Sequence, residues 1–260
     1  MADHITLCDG RESFAPGEYV FPFAYQLRST LPGSFHVDRR HAGEICDIDA
    51  AVKYALKLRL PVKGAFSADL KAERSLNIKP AQTAQLVQPR TDATAQQAKL
   101  LGFIRQGNCE ISGSLERDVF IAGETLQVRA SIVNGSKMDV KSVSVRLVED
   151  LVIRANSDHS EIKATTCLAK KEFPGVAAGA TTIDQAYSLD LVGRSERYAV
   201  LPPMTSSLVT TRHHVEVRCK FRMSPNVHIE IPVKILAPQL TEAAAATASE
   251  LAMDIKSKAI

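Results

Sequence analysis

The residues in this chain that could do chemistry are its seven histidines and five cysteines. Nucleophilic catalysis needs a serine or cysteine held by a base that a third group orients, and no such signature is present. Cys8, Cys46, Cys109, Cys167 and Cys219 are odd in number, widely spaced and without a Cys-x-x-Cys pair. A disulfide framework or a zinc site would look different. Reduced thiols packed in strands as small hydrophobes are the expected state. His213 and His214 open a strand, where successive side chains point to opposite faces, so the two do not chelate one ion together. The residue types therefore point to no catalysis, no cofactor and no metal, which leaves binding.

Binding would fall to the basic residues. Arg39, Arg40 and His41 form a short cluster ahead of a long alternating run, and Lys53, Lys57 and Arg59 lie on the outward face of that run. Lys71, Arg74 and Lys79 make a similar outward set. Two readings stand for these charges: a solvated strand face, or a contact surface for phosphate or acidic lipid. The row Arg218, Lys220 and Arg222 reads as protection of an edge strand against aggregation. A net charge of +3 with a pI near 8.6 is too mild to argue for nucleic acid. The start lacks an apolar run behind a basic head, and no stretch of about 18 uncharged apolar residues exists. A cytoplasmic protein is expected.

Strands must position these residues, because period-two alternation recurs almost everywhere. In HHVEVRCKFRM, Val215, Val217, Cys219, Phe221 and Met223 face one way, and His214, Glu216, Arg218, Lys220 and Arg222 the other. Ser224-Pro225-Asn226 turns the chain into VHIEIPVKIL, with Val227, Ile229, Ile231, Val233 and Ile235 inward. Pro232 on the outward set fits an edge strand or a bulge. Earlier strands are marked by Ile111 and Leu115, by Val143, Val145 and Leu147, and by Ile183, Tyr187, Leu189 and Leu191. Leu126, Val128, Ala130 and Ile132 alternate up to Asn134-Gly135-Ser136, a hairpin signal that also spells an N-glycosylation acceptor. With no secretory signal, the turn reading prevails and a sugar is not expected. About seven strands over residues 103–237 make one β-sandwich.

The first eighty residues repeat the back half of that unit. SFAPGEYVFPFAYQLRSTLPGSF parallels GVAAGATTIDQAYSLDL and LPPMTSSL, each giving a glycine turn, an aromatic strand and a Leu-Pro. A long alternating strand follows, marked by Val52, Tyr54, Leu56, Leu58 and Leu60. ITLCDGRESF parallels ATTCLAKKEF, so the first copy lacks a counterpart of residues 107–160. An incomplete first sandwich is expected, with about four strands and an open edge that a partner or self-association covers. Residues 81–102 read as a polar linker or exposed loop, and residues 238–260 as a frayed helix or disordered tail.

GSLERDVFIAGETLQVRASIVNGSKMDVKSVSVRLVED resembles the opening of an arrestin C-terminal domain. FPFAYQLRSTLPGSF resembles the second half of an arrestin N-terminal domain. LPPMTSSLVTTRHHVEVRCKF with VHIEIPVKIL resembles the closing C-domain strands. The resemblance implies an all-β protein of two immunoglobulin-like sandwiches, the first incomplete. The short Val192–Met204 loop is closer to the α-arrestins, also called arrestin-domain-containing proteins, than to those with a long acidic loop. Arrestins place an arginine phosphate sensor on the last N-domain strand. SLNIKP matches that strand, so Lys79 falls near the sensor, keeping the charge without the bidentate fork.

Function implied by the resemblance is that of a non-enzymatic cytosolic adaptor. It would bind cytoplasmic segments of membrane proteins and link them to endocytic sorting, trafficking or signalling, with peripheral contact at the plasma membrane or endosomes. Lys79, Arg74, Lys71, Arg39 and Arg40 are the candidate phosphate or cargo contacts. The Pro-Pro-x-Tyr motifs by which α-arrestins recruit ubiquitin ligases have no counterpart, since Pro202-Pro203 is followed by Met204-Thr205. The alternative is a structural immunoglobulin-like module of a larger assembly, similar to the arrestin-fold subunit of retromer.

Overall fold

The computed structural model describes residues 3–8, 14, 17–28, 31–39, 48–62, 68–79, 88–100, 104–154, 161–195 and 198–238. Among the described residues there are thirteen strands and no α-helix. No helix among them is long and apolar enough to cross a membrane. The chain divides into two units, Met1–Leu31 and Pro32–Ile260.

In the first unit, Tyr19 and Phe21 each meet the Phe14 ring edge-on, at 5.0 and 5.7 Å. Asp3 accepts a hydrogen bond from the Tyr25 hydroxyl and pairs with Arg28 at 3.6 Å. The aromatic segment around Phe21–Leu27, expected as a strand, carries no ladder. Aromatic content marks a chain that fits a sheet, but a ladder still needs a second backbone beside it. Tyr19, Phe23, Tyr25 and Leu27 stay 45–49% exposed.

The second unit opens with two small hairpins. β1 (Phe35–Arg39) pairs antiparallel with β2 (Ile48–Val52), and β3 (Tyr54–Leu60) pairs antiparallel with β4 (Leu70–Leu76). The run expected as one long strand breaks at Lys53, because its two halves take different partners.

A sandwich follows, built from β5 (Arg90–Leu100), β6 (Ile104–Leu115), β7 (Val119–Ile121), β8 (Thr125–Asn134) and β9 (Val140–Arg154), then β10 (Glu161–Val176), β11 (Thr181–Asp190), β12 (Val209–Lys220) and β13 (Val227–Leu236). One sheet has the order β10-β9-β12-β13-β7, the other β11-β8-β6-β5. Inward residues of both meet in one core, including Ile111, Leu126, Val128, Ile132, Val145, Leu147, Val217 and Ile229. Gly113 lets the sheets approach: a Cβ built there would lie 2.6 Å from Ile229 Cδ1. The segment read as a linker is corrected here, since Arg90–Leu100 is β5. Its backbone pairs antiparallel with β6 at the end of that sheet, and Asp92 Oδ2 accepts from the Glu230 N–H of β13 at 3.3 Å.

The alternation expected for β12 and β13 places Val215, Val217, Cys219, Val227, Ile229, Ile231 and Ile235 in the core. Two positions depart from the pattern. Met223 lies past the end of β12 and is 49% exposed. Ile183 is 78% exposed because the β11–β8 register shifts between Thr182 and Gln185, where Asp184 takes a φ of 52°. The row Arg218–Lys220 is not edge protection, since β12 lies between β9 and β13.

Asn134-Gly135-Ser136 is not a hairpin either. β8 and β9 belong to opposite sheets, so the tripeptide turns the chain from one layer to the other. Asn134 is fully buried. Its Nδ2 donates to Met138 O at 2.9 Å, Ala177 O at 3.0 Å and Val176 O at 3.2 Å, and its Oδ1 accepts from Ser136 Oγ at 2.7 Å. Gly107, at a φ of 106°, packs against Gly135, and a Cβ there would meet Gly135 O at 2.6 Å. A side-chain amide used this way is out of reach of glycosylation in the folded state.

β9, β10 and β12 outrun the sandwich core and reach a second cluster. There Leu151, Met204 and Val209 pack on Phe35, Val37 and Ile48 of the first hairpin. The buried thiols Cys109 and Cys219 touch across the two sheets. Their hydrogen bond and burial push the Cys219 thiol above the ordinary thiol range.

Two outcomes are expected. Replacing Asn134 by alanine orphans several buried carbonyls and should lower stability by about 1–3 kcal/mol or more in denaturant titration. In native thiol labelling, Cys109 and Cys219 should react only at the rate of unfolding, and the intact mass should carry no Cys109–Cys219 bridge.

Candidate functional site

The basic residues singled out in the first eighty positions do not converge. β3 and β4 pair with Arg59 opposite Lys71, Lys57 opposite Glu73 and Leu56 opposite Arg74. Residues of one strand alternate between faces, so Lys71 and Arg74 point to opposite sides of the hairpin. The expectation of one outward set is therefore corrected. Lys71 shares its face with Arg59, with the Lys57–Glu73 pair at 3.3 Å and with Asp69, which Arg59 holds at 2.6 Å. That Arg59 hydrogen bond, with weaker help from Lys71, holds the Asp69 carboxyl below its usual range. Arg74 instead stands among the half-buried Tyr54, Leu56, Leu58 and Leu76. Such a two-stranded amphipathic hairpin is only marginally stable without something against its apolar face.

Lys79 lies just beyond β4, exposed, on backbone fixed by Ser34. Ser34 N–H donates to Ile78 O at 2.7 Å, and Ile78 N–H donates to Ser34 Oγ at 2.8 Å. Lys71 and Lys79 are eight residues apart, up to roughly 26 Å along an extended chain. Arg39 ends β1 opposite Ile48, at the tip of the first hairpin. Arg40 and His41 lie outside the described residues, as does Cys46.

One ionisable pair was missed in the sequence. Glu149 of β9 stands directly opposite His213 of β12, and both point inward with side chains 3% and 0% exposed. Their Nε2–Oε2 separation of 3.6 Å is longer than a hydrogen bond. Glu149 has the parity of Val143, Val145 and Leu147, so strict alternation would have placed it inside.

A cavity of about 190 Å³ lies beside β10 and β11, lined by Lys170, Lys171, Asp190 and Arg194 among others. It is smaller than the roughly 300–1,000 Å³ of ordinary ligand pockets, and no serine, cysteine or histidine lines it. Lys170, one of its lining residues, and Lys220 both reach Glu172, at 2.6 and 2.5 Å.

Residues 105–240 match the family described as "Arrestin (or S-antigen), C-terminal domain". The chain belongs to the arrestin family. It is 25% identical over 226 residues to "Arrestin domain-containing protein A" of Dictyostelium discoideum, covering 86% of this chain and 36% of that protein. It is 19% identical over 227 residues to "Arrestin domain-containing protein C" of the same organism, covering 85% and 32%. This arrestin chain thus spans about a third of the length of the curated relatives it matches. The matched residues include β7–β13 and all of β6 but Ile104, which hold the inter-sheet core and both members of the Glu149–His213 pair.

An acid titration tests the Glu172 contacts. The bonds from Lys170 and Lys220 lower the Glu172 carboxyl from 4.5 to about 2. A carboxylate held below its unfolded value stabilises the fold above that unfolded value and loses the contribution as pH falls toward the folded one. The Glu172 side chain should titrate in carboxyl NMR with a midpoint near 2. The Glu172→Gln protein should lose less melting temperature than the native one between pH 5 and pH 2.

Proposed function

We propose that this arrestin is a non-enzymatic cytoplasmic adaptor. It binds cytoplasmic segments of membrane proteins and links them to endocytic sorting, trafficking or signalling. The observation that carries this reading is Lys79: exposed, with no anionic partner among the described residues, and held on the Ser34-clamped backbone beside β1. A lysine so placed offers a fixed cation to a phosphorylated or acidic tail. Lys71 and Arg74 are secondary contacts, each on its own face of the β3–β4 hairpin, and Arg39 stands at a separate hairpin tip. Contact with acidic membrane lipid at the plasma membrane or endosomes would use the same basic residues.

The amphipathic β3–β4 hairpin favours a second reading, in which the chain is a structural module whose apolar strand face is covered by a fixed neighbour. Affinity capture with the full chain separates the two. An adaptor retains membrane-protein tails and coat components, whereas a structural module retains one constant neighbour at fixed stoichiometry.

For the adaptor reading, Lys79→Glu should weaken binding to phosphorylated tail peptides roughly tenfold or more, the worth of one hydrogen bond to a charged group. The melting temperature should stay unchanged. Binding should also fade with added salt, because exposed charges are screened beyond about 8 Å at physiological ionic strength. Equal affinity of the native and Lys79→Glu proteins would sink this assignment.

A further inference from the structure

β10 carries one irregularity, and a cavity opens beside it. The β10–β9 register shifts between Cys167 and Ala169, so Leu168 has no rung of its own. Its side chain fills the core, and its carbonyl accepts the Arg194 N–H at 3.2 Å. Bulges of this kind recur at sheet edges and beside functional sites, where they re-aim the chain. Ala169, Lys170 and Lys171, just past the bulge, line the cavity of about 190 Å³ with Leu189, Asp190 and Arg194.

The segment that carries Arg194 is fastened at several points. Leu191 N–H donates to Glu124 O at 2.8 Å, and Leu191 O accepts from the Gly123 N–H at 3.0 Å. Gly193 packs so closely that a Cβ there would lie 2.1 Å from Tyr198 O. Tyr198 N–H donates to Ser195 O at 2.9 Å, and the Arg194 guanidinium lies over the Tyr198 ring, 4.5 Å from its centroid. A guanidinium over a ring uses its face and keeps its N–H edge for oxygens. Arg194 is thus placed before any ligand arrives, which spares part of the ordering cost of binding.

Charge in the lining is unbalanced. Lys170 is taken by Glu172. Lys171 Nζ donates to Ser188 Oγ at 3.1 Å, which leaves two of its three N–H groups. Neither Lys171 nor Arg194 has a carboxylate partner among the described residues. The acid of the lining, Asp190, accepts a hydrogen bond from the Thr125 hydroxyl at 2.7 Å. Lys171 and Arg194 therefore outnumber it. The small volume suits a group of about the size of phosphate rather than a nucleotide, since ordinary ligand pockets begin at roughly 300 Å³.

We propose that this cavity is a binding site for a phosphate-class oxyanion, with Arg194 supplying a bidentate fork and Lys171 a second cation. Bonds from both would be charge-assisted, and a fork beside a point charge matches the several oxygens of a tetrahedral anion. The site belongs to the sandwich and uses none of Lys79, Lys71, Arg74 and Arg39. It does not rest on the adaptor reading.

Calorimetric titration of inorganic phosphate into the full chain at low ionic strength tests it. The variants are Arg194→Gln and Lys171→Gln, with Lys163→Gln and Lys79→Glu as controls away from the lining. The native chain should bind one phosphate. Each cavity variant should bind it at least about tenfold more weakly, the worth of one hydrogen bond to a charged group. Both replaced side chains are exposed, so the melting temperatures should match the native one. The two controls should bind phosphate as the native chain does. Phosphatidylcholine vesicles carrying a phosphoinositide distinguish the source of the anion. Sedimentation that Arg194→Gln abolishes assigns a lipid headgroup, and any other result assigns a free small anion. Equal phosphate affinity in the native chain and both cavity variants overturns the proposal, as does acetate binding with equal affinity.

Discussion

Antiparallel pairing between β9 and β12 runs from Ser142 opposite Lys220 to Ile153 opposite Val209, and each rung sends one pair inward and the next outward. That parity constrains the rest of the sandwich. It commits Val143, Val145, Leu147, Val215, Val217 and Cys219 to a shared interior, where burial of each large aliphatic side chain stabilises by about 1.5–3 kcal/mol. The same parity gives the outer face its alternating polar rows, so Arg146 meets Glu216 and Asp150 meets His214 without any turn or loop to hold them. Carried past the core, it takes Leu151 and Val209 into the cluster that seats the first hairpin. A one-residue slip in this ladder would expose both clusters at once.

Much of this was legible from residue order. β12 and β13 alternate without interruption in the text of the chain, and their inward sets stand in the core as read, except Met223 beyond the end of β12. The arrestin resemblance rested on those strands, on the run around Leu126–Ile132 and on FPFAYQLRSTLPGSF; the family match covers the first two blocks and not the third. Where alternation holds and both faces have neighbours, sequence and fold say the same thing.

Legibility ended where a partner decides the outcome. Asn-Gly-Ser has the chemistry of a tight turn, yet whether the next strand returns beside the last or crosses to the other layer depends on what β9 pairs with. Arg90–Leu100 offers no large apolar residue until its end and looks like linker, but an edge strand needs only backbone donors and acceptors facing β6. Ile183 follows the alternation on paper, and a single left-handed residue at Asp184 turns it out. The candidate basic residues failed in a related way: their types were visible, but counting from Lys71 to Arg74 crosses from one face of β4 to the other. Glu149 was readable by parity alone, and only its charge argued against an inward place.

The layer-crossing corner has a chemical side. Asparagine followed by glycine is the dipeptide in which the next backbone nitrogen most readily attacks the side-chain amide, expelling ammonia to form a cyclic imide that water opens to aspartate or its β-linked isomer. At Asn134 the departing nitrogen is the one donating to three carbonyls, and the whole residue is sealed from water. Folding therefore suspends this ageing reaction, while time spent unfolded allows it. Because a carboxylate cannot donate to those carbonyls, each altered chain loses the corner that would have protected it. The damage accumulates with time spent unfolded, a history that peptide mapping of residue 134 in aged protein would read out.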